Sequence, residues 1–244
     1  IGKVQQSAWQ MSVAEQDVLK QRLKLYAEEV TQTTQRQWRI QPDLVMNITV
    51  PKQAGQDWVS LDASSARGKR RAKVWLEYLL WLAYLALGDD QSRVLKRIAV
   101  FSDVTIINEG LTSAEAKAYL FNWFKAYAYG QSEPLVLPSA LLLATEPKKS
   151  SLVLQNKDRI VEWSEGEAGP SVLVEFEKLL KIWRESQQFN SAFNKENDES
   201  NQKHRDWQFI LQEQDTTALL KHACDTFAYD LYAPIYQYQC VAEE

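Results

Sequence analysis

The stretch VSLDASSARGKRRAKVWLEYLLWLAYLAL, Val59 to Leu87, ends a strand-like run on Asp62 and then carries five cations, Arg67, Lys69, Arg70, Arg71 and Lys73, before a very apolar helix. A carboxylate at a strand end can hold a divalent cation, which lowers the pKa of an attacking water and stabilises charge on a phosphate. Asp43, on an earlier hairpin, offers a second carboxylate. The cations suit a different task. No acid occurs from Ala63 to Leu76, and a helix start disfavours positive charge. Free helix N–H groups and cationic side chains together favour a bound phosphate. Plainer roles stay open. Asp43 can be a turn residue after Pro42, Asp62 a strand-end acid near a helix N-terminus, and the basic run a solvated face.

These residues need elements to position them. Ser12 to Glu15 has capping-box spacing, and Leu19, Leu23, Tyr26 and Val30 then make one helical stripe. In WRIQPDLVMNITVP, Leu44, Met46, Ile48 and Val50 alternate with Val45, Asn47 and Thr49, the period of a strand, with an earlier strand expected near Arg36 to Ile40. Ala54-Gly55 turns the chain into a short strand at Trp58, Val59 and Leu61. The helix from Val74 to Leu87 is apolar on nearly every side, so it must be enclosed on several faces, and Gly88-Asp89-Asp90 ends it. Two strands, Arg97 to Phe101 and Val104 to Ile107, precede a second capping box at Thr112 to Glu115, whose helix is expected to stop at a left-handed Gly130. Further on, ALLLAT and SLVLQN read as a short helix and a strand, Pro170 opens a helix, Lys195 to Asp206 is an exposed loop, and a last helix runs from about Thr216 toward Pro234. The expected organisation is a single domain over 1–244, with a core over 1–130, a mostly helical extension over 131–244 and an exposed loop near 195–206.

Composition narrows the class. With 45% apolar and 25% charged residues the chain is ordinary for a globular protein, and eight Gly and seven Pro favour long helices. Two cysteines, Cys224 and Cys240, and two histidines indicate neither a disulfide framework nor a zinc site. The longest apolar run is shorter than the roughly 18 residues of a membrane span. A cytoplasmic protein without a membrane role is therefore expected, and the opening IGKVQQSAWQ reads as a piece of a longer protein. A net charge of −4 argues against a generally basic coat, so any nucleic-acid contact must be local. Nine Trp, ten Tyr and eight Phe give an aromatic-rich core or leave rings for a partner, with Trp183, Phe189, Trp207 and Tyr236 as the candidates.

The order helix, three strands, helix, strand resembles the core of the PD-(D/E)xK nucleases, an α+β fold with a mixed central sheet flanked by helices, here followed by a helix-rich C-terminal part. That resemblance puts Asp43 and Asp62 about where the two metal-binding acids belong. The family pattern then asks for Lys two residues after the second acid. Here that residue is Ser64, which carries no positive charge. Lys69 or Lys73 could reach in from the following helix, and the run is equally well placed to face solvent.

RGKRRAKVWLEYLLWLAYLALG, LTSAEAKAYLFNWFKAYAYGQSEPLVLPSA and the closing DLYAPIY together resemble the C-terminal region of RecC, the gamma subunit of exodeoxyribonuclease V. The resemblance implies a degenerate nuclease-like fold with no catalytic or metal-binding residue of its own. It also implies no cofactor for this domain, Mg²⁺ and ATP being used by partner subunits. The partners it implies are DNA, as double-stranded ends, forks or single strands, together with a helicase-nuclease beta subunit and a helicase alpha subunit. Three functions compete at this stage. They are a non-catalytic DNA-handling and scaffolding domain with Arg67, Lys69, Arg70, Arg71 and Lys73 on DNA, an active Mg²⁺-dependent nuclease, and a purely structural docking domain.

Overall fold

A computed structural model of the chain describes residues 16–41, 44–53, 55–66, 68–85, 94–137 and 215–242. Asp43, Arg67, the first capping box, the helix end at Gly88-Asp89-Asp90 and every expectation for 138–214 lie outside these residues, among them Trp183, Phe189, Trp207 and the charged loop. The described chain forms two compact units, one comprising 1–120 with 238–244 and the other 121–237.

In the first unit, helix α1, described over 16–24, leads to strands β1 (Thr33–Gln41), β2 (Leu44–Pro51) and β3 (Trp58–Leu61). Helix α2 (Gly68–Leu85) and strands β4 (Arg97–Val100) and β5 (Thr105–Asn108) follow. The architecture is α+β, with a mixed sheet flanked by helices. Strands β1 and β2 pair only with each other among the described residues, as an antiparallel ribbon. The other sheet has the order β3-β4-β5-β6, in which β3 and β4 are parallel and the other pairs antiparallel. Parallel neighbours need a crossover, and α2 is that crossover.

Strand β4 reads as a continuous apolar run because both of its faces are covered. Ile98 and Val100 pack with Leu19, Leu23 and Val59 on the α1 side. Ala99 and Phe101 pack with Val74 and Ile106 on the α2 side. The apolar character of α2 has the same cause: Trp75, Tyr78, Leu79, Trp81 and Leu82 are all buried. Trp81 meets Trp58 edge-on at 5.9 Å, and Tyr84 meets Trp38 of the ribbon at 6.1 Å.

The second capping box forms as its spacing predicts. Glu115 Oε2 accepts from the Thr112 backbone N–H (2.8 Å) and hydroxyl (2.7 Å), while the Glu115 N–H donates to Thr112 Oγ1 (3.2 Å). Helix α3 (Ser113–Gly130) follows. Gly130 is its last helical residue rather than a left-handed cap, since positive φ among the described glycines is confined to Gly55 and Gly110. The Ser132 and Glu133 N–H groups close the end by donating to Tyr129 O, each at 3.0 Å.

Near the C-terminus, Asp215 caps helix α4 (Thr216–Ala223) through the Thr217 and Ala218 N–H groups. A π-helical turn, Cys224–Ala228, then leads into helix α5 (Tyr229–Tyr238). The helix continues through Pro234, where the sequence suggested it would stop. Tyr236 is buried, not presented to a partner. Strand β6 (Gln239–Ala242), which periodicity did not announce, then pairs with β5 and completes the sheet.

Gln239 is 1% exposed. Its Oε1 accepts from Arg71 Nε (2.8 Å), and its Nε2 donates to Asn108 Oδ1 (2.9 Å) and to Arg71 O (3.3 Å), joining α2, β5 and β6. Gln239→Leu removes these bonds and keeps the bulk, leaving charged and polar groups buried without them. The variant is expected to lose about 2–3 kcal/mol of stability, read as a lower denaturant midpoint for the intact chain.

Candidate functional site

The loop from Asp62 to α2 is tied down by its own polar groups. Asp62 Oδ1 accepts from the Ser64 N–H (2.9 Å) and the Ser64 hydroxyl (2.5 Å). The Asp62 N–H donates to Val100 O, continuing the β3–β4 ladder, and Ser102 N donates to Ser64 O. Asp103 Oδ1 accepts from the Ala66 and Val104 N–H groups. The carboxyl of Asp62 is held below the usual aspartate range, chiefly by the two bonds from Ser64, against the opposing effect of burial and with lesser help from the charges of Arg70 and Lys73.

Asp62 lines a cleft of about 370 Å³ with Arg70, Lys73, Glu77 and Arg97, and with the hydroxyl-bearing residues Thr31, Thr33, Thr49 and Ser60. Arg97 is 3% exposed and its guanidinium is fully engaged. It meets Glu77 Oε2 at 2.7 Å through Nη2, donates through Nη1 to Ile98 O at 2.7 Å, and stacks over the Trp58 ring at 4.3 Å. Burial pulls its pKa down, and the Glu77 charge opposes that shift. Glu77 also faces the exposed Lys73 Nζ at 3.8 Å.

The structure separates the cations that the sequence groups together. Lys69 and Lys73, four residues apart on one side of α2, are exposed, and Arg70 is half-buried with Nη1 donating to Ser65 O at 2.9 Å. Arg71 is not on this surface. It is 3% exposed and belongs to the core, because it shares the helix face of Val74, Trp75 and Tyr78, which packs inward. The cleft residues that sequence reasoning missed include Arg97, Glu77 and the four hydroxyl-bearing residues. A signal existed for the first two: an arginine opening the apolar run RIAVF and a glutamate interrupting VWLEYLLW are buried charges in search of each other.

Asp43, the other acid expected to hold a divalent cation, lies outside the described residues. Of the two carboxylates among the described cleft residues, Asp62 accepts from Ser64 through Oδ1 and Glu77 meets Arg97 through Oε2. Among the described residues no three His, Cys, Asp or Glu side chains converge into a metal-binding group. Nor is any described helix long and apolar enough to cross a membrane.

The family model for the RecC C-terminal domain matches residues 2–146. The chain belongs to the RecC C-terminal domain family. A RecC C-terminal domain implies a role in the RecBCD complex, the exodeoxyribonuclease V assembly, with its other subunits and DNA. No curated protein matches the chain. The match covers β1 to α3, and hence the cleft and the α2 cations, whereas α4, α5 and β6 lie beyond it.

Two outcomes follow from the RecC-family cleft. Glu77→Ala strands a buried guanidinium and is expected to cost about 3–5 kcal/mol, while Lys73→Ala, at an exposed pair, should change stability by less than about 1 kcal/mol. Urea unfolding of the two variants distinguishes them. Ser64→Ala removes the hydroxyl bond to Asp62 and should raise the Asp62 pKa in a carboxyl NMR titration. Because the folded pKa is depressed, the stabilisation from this turn is complete above the ordinary aspartate pKa and fades as pH falls through the lowered one. Ser64→Ala should shrink that acid-side loss.

Proposed function

We propose that this is a non-catalytic DNA-handling and scaffolding domain of a RecBCD-type helicase-nuclease complex acting in double-strand break repair and recombination. The observation that carries the reading is the state of Asp62. Its Oδ1 accepts from both the N–H and the hydroxyl of Ser64, the residue standing where a nuclease of this pattern would carry Lys. The order α1, β1 to β3, α2, β4 supports a nuclease-like core, from which the separate pairing of β1 with β2 is a departure.

In place of metal chemistry the site offers positive charge to phosphates. Lys69, Arg70 and Lys73 lie along the first turns of α2, and with Arg71 turned inward they form the described part of the DNA-binding set. Such a surface binds backbone without cutting it. On this reading the domain takes no cofactor, Mg²⁺ and ATP serve the helicase-nuclease beta and helicase alpha subunits, and the complex works on duplex ends, forks and single strands in the cytoplasm.

Two measurements test the proposal in the assembled complex. Asp62→Ala should leave the rate of DNA degradation unchanged, whereas a metal-dependent nuclease would lose orders of magnitude with a ligand. Lost degradation in a complex that still unwinds normally refutes the non-catalytic reading. Replacing Lys69, Arg70 and Lys73 together by Ala should flatten log affinity for duplex against log salt by up to about 2.7, near 0.9 for each phosphate that is no longer neutralised. An unchanged slope removes these cations from the DNA path.

A further inference from the structure

The ribbon β1–β2 presents a face that the proposed phosphate site leaves unexplained. Its inward side chains, Trp38, Ile48 and Val50, are buried. Its outward ones are Thr33, Gln35, Gln37, Arg39, Asn47 and Thr49, all exposed, with the exposed Val45 opposite Arg39 as the one apolar member among the described residues. Cross-strand register places Gln35 opposite Thr49 and Gln37 opposite Asn47, so the amides and hydroxyls form a ladder down the ribbon. A quarter of the chain is charged, yet neither strand contains an Asp or a Glu. Solubility alone does not call for such a face, because charged side chains would serve as well. Side-chain amides present a donor and an acceptor together, the pattern that matches adenine in the major groove, and Arg39 adds the donor fork that matches guanine or a phosphate.

We propose that the outward face of the β1–β2 ribbon is a second DNA contact that lies in the groove of a duplex, with the cleft cations holding the adjoining backbone. The dimensions agree. Two strands about 4.8 Å apart fit a major groove about 12 Å wide, which accepts a two-stranded ribbon. The ribbon also runs into the phosphate site, because Thr33 and Thr49, at its base, line the same cleft as Arg70 and Lys73. Base-edge contacts and phosphate contacts then fall on adjoining surfaces, the first selecting and the second positioning. Duplex is favoured over single strand because the outward face carries no aromatic ring, and single-strand binders depend on rings to stack bases.

This inference rests on the reading of the domain as a DNA-handling module, and the test separates the two. Binding of a fluorescent 20-base-pair duplex and of a 20-nucleotide single strand is measured by anisotropy across a salt series, using the assembled complex with ATP withheld. The variant Gln35→Ala, Gln37→Ala, Asn47→Ala changes only exposed side chains. It should weaken duplex binding about tenfold, with the salt slope unchanged because amides displace no counterions, and should leave single-strand binding alone. A second variant, Gln37→Glu with Asn47→Asp, keeps the shapes and adds negative charge, and should weaken duplex binding further. Duplex affinity at the wild-type level in both variants, or an equal loss on single strand, overturns the ribbon proposal. Arg70→Ala with Lys73→Ala reports on the other reading. If that pair keeps the wild-type slope while the ribbon variants bind duplex more weakly, the ribbon proposal stands and the cleft assignment falls.

Discussion

The guanidinium of Arg97 is the fixed point of the first unit. It opens the central strand β4 with almost no exposure to solvent, and an uncompensated charge in that position would be very costly. The surroundings answer it from three elements: Glu77 of α2 as counter-ion, the Trp58 carbonyl and ring of β3, and the Ile98 carbonyl of its own strand. These contacts set how the crossover helix lies against the two parallel strands. Because Arg97, Glu77 and Trp58 also line the cleft, the interaction that secures the fold shapes the floor of the candidate site.

The acids and cations of the cleft are held in different ways. Glu77 neutralises Arg97, and Asp62 Oδ1 bonds the loop that leads into α2. The lysines at the start of α2 are set differently. Lys69 and Lys73 are exposed and can meet a phosphate without disturbing the core, since long cationic side chains extend their heads into water while their stems rest on protein.

The second buried polar group, Arg71 with Gln239 and Asn108, does for the far edge of the sheet what Arg97 does for its centre. It ties β6 to a helix about 170 residues earlier in the chain. The family match ends at residue 146, so the strand that completes the sheet comes from sequence that the family model does not describe. Long-range closure of this kind costs chain entropy, and the fully buried bonds of Gln239 help to offset it.

The types of the elements were legible in the residues themselves, because they rest on local physics. Alternation from Leu44 to Val50 made a strand, a run from Val74 that is apolar on nearly every side made an enclosed helix, and Thr112 with Glu115 made a capping box. The absence of Lys at Ser64 was likewise plain, since it concerns one residue's chemistry. What the tertiary structure alone decided was partnership. Five clustered cations read as one surface until helix orientation sent Arg71 inward and left Lys69 and Lys73 outside. The pairing of Glu77 with Arg97 spans 20 residues, and that of Arg71 with Gln239 spans 168. No periodicity encodes such distances. They are set when elements pack, and a buried charge accepts only the packing that brings its partner within hydrogen-bond reach.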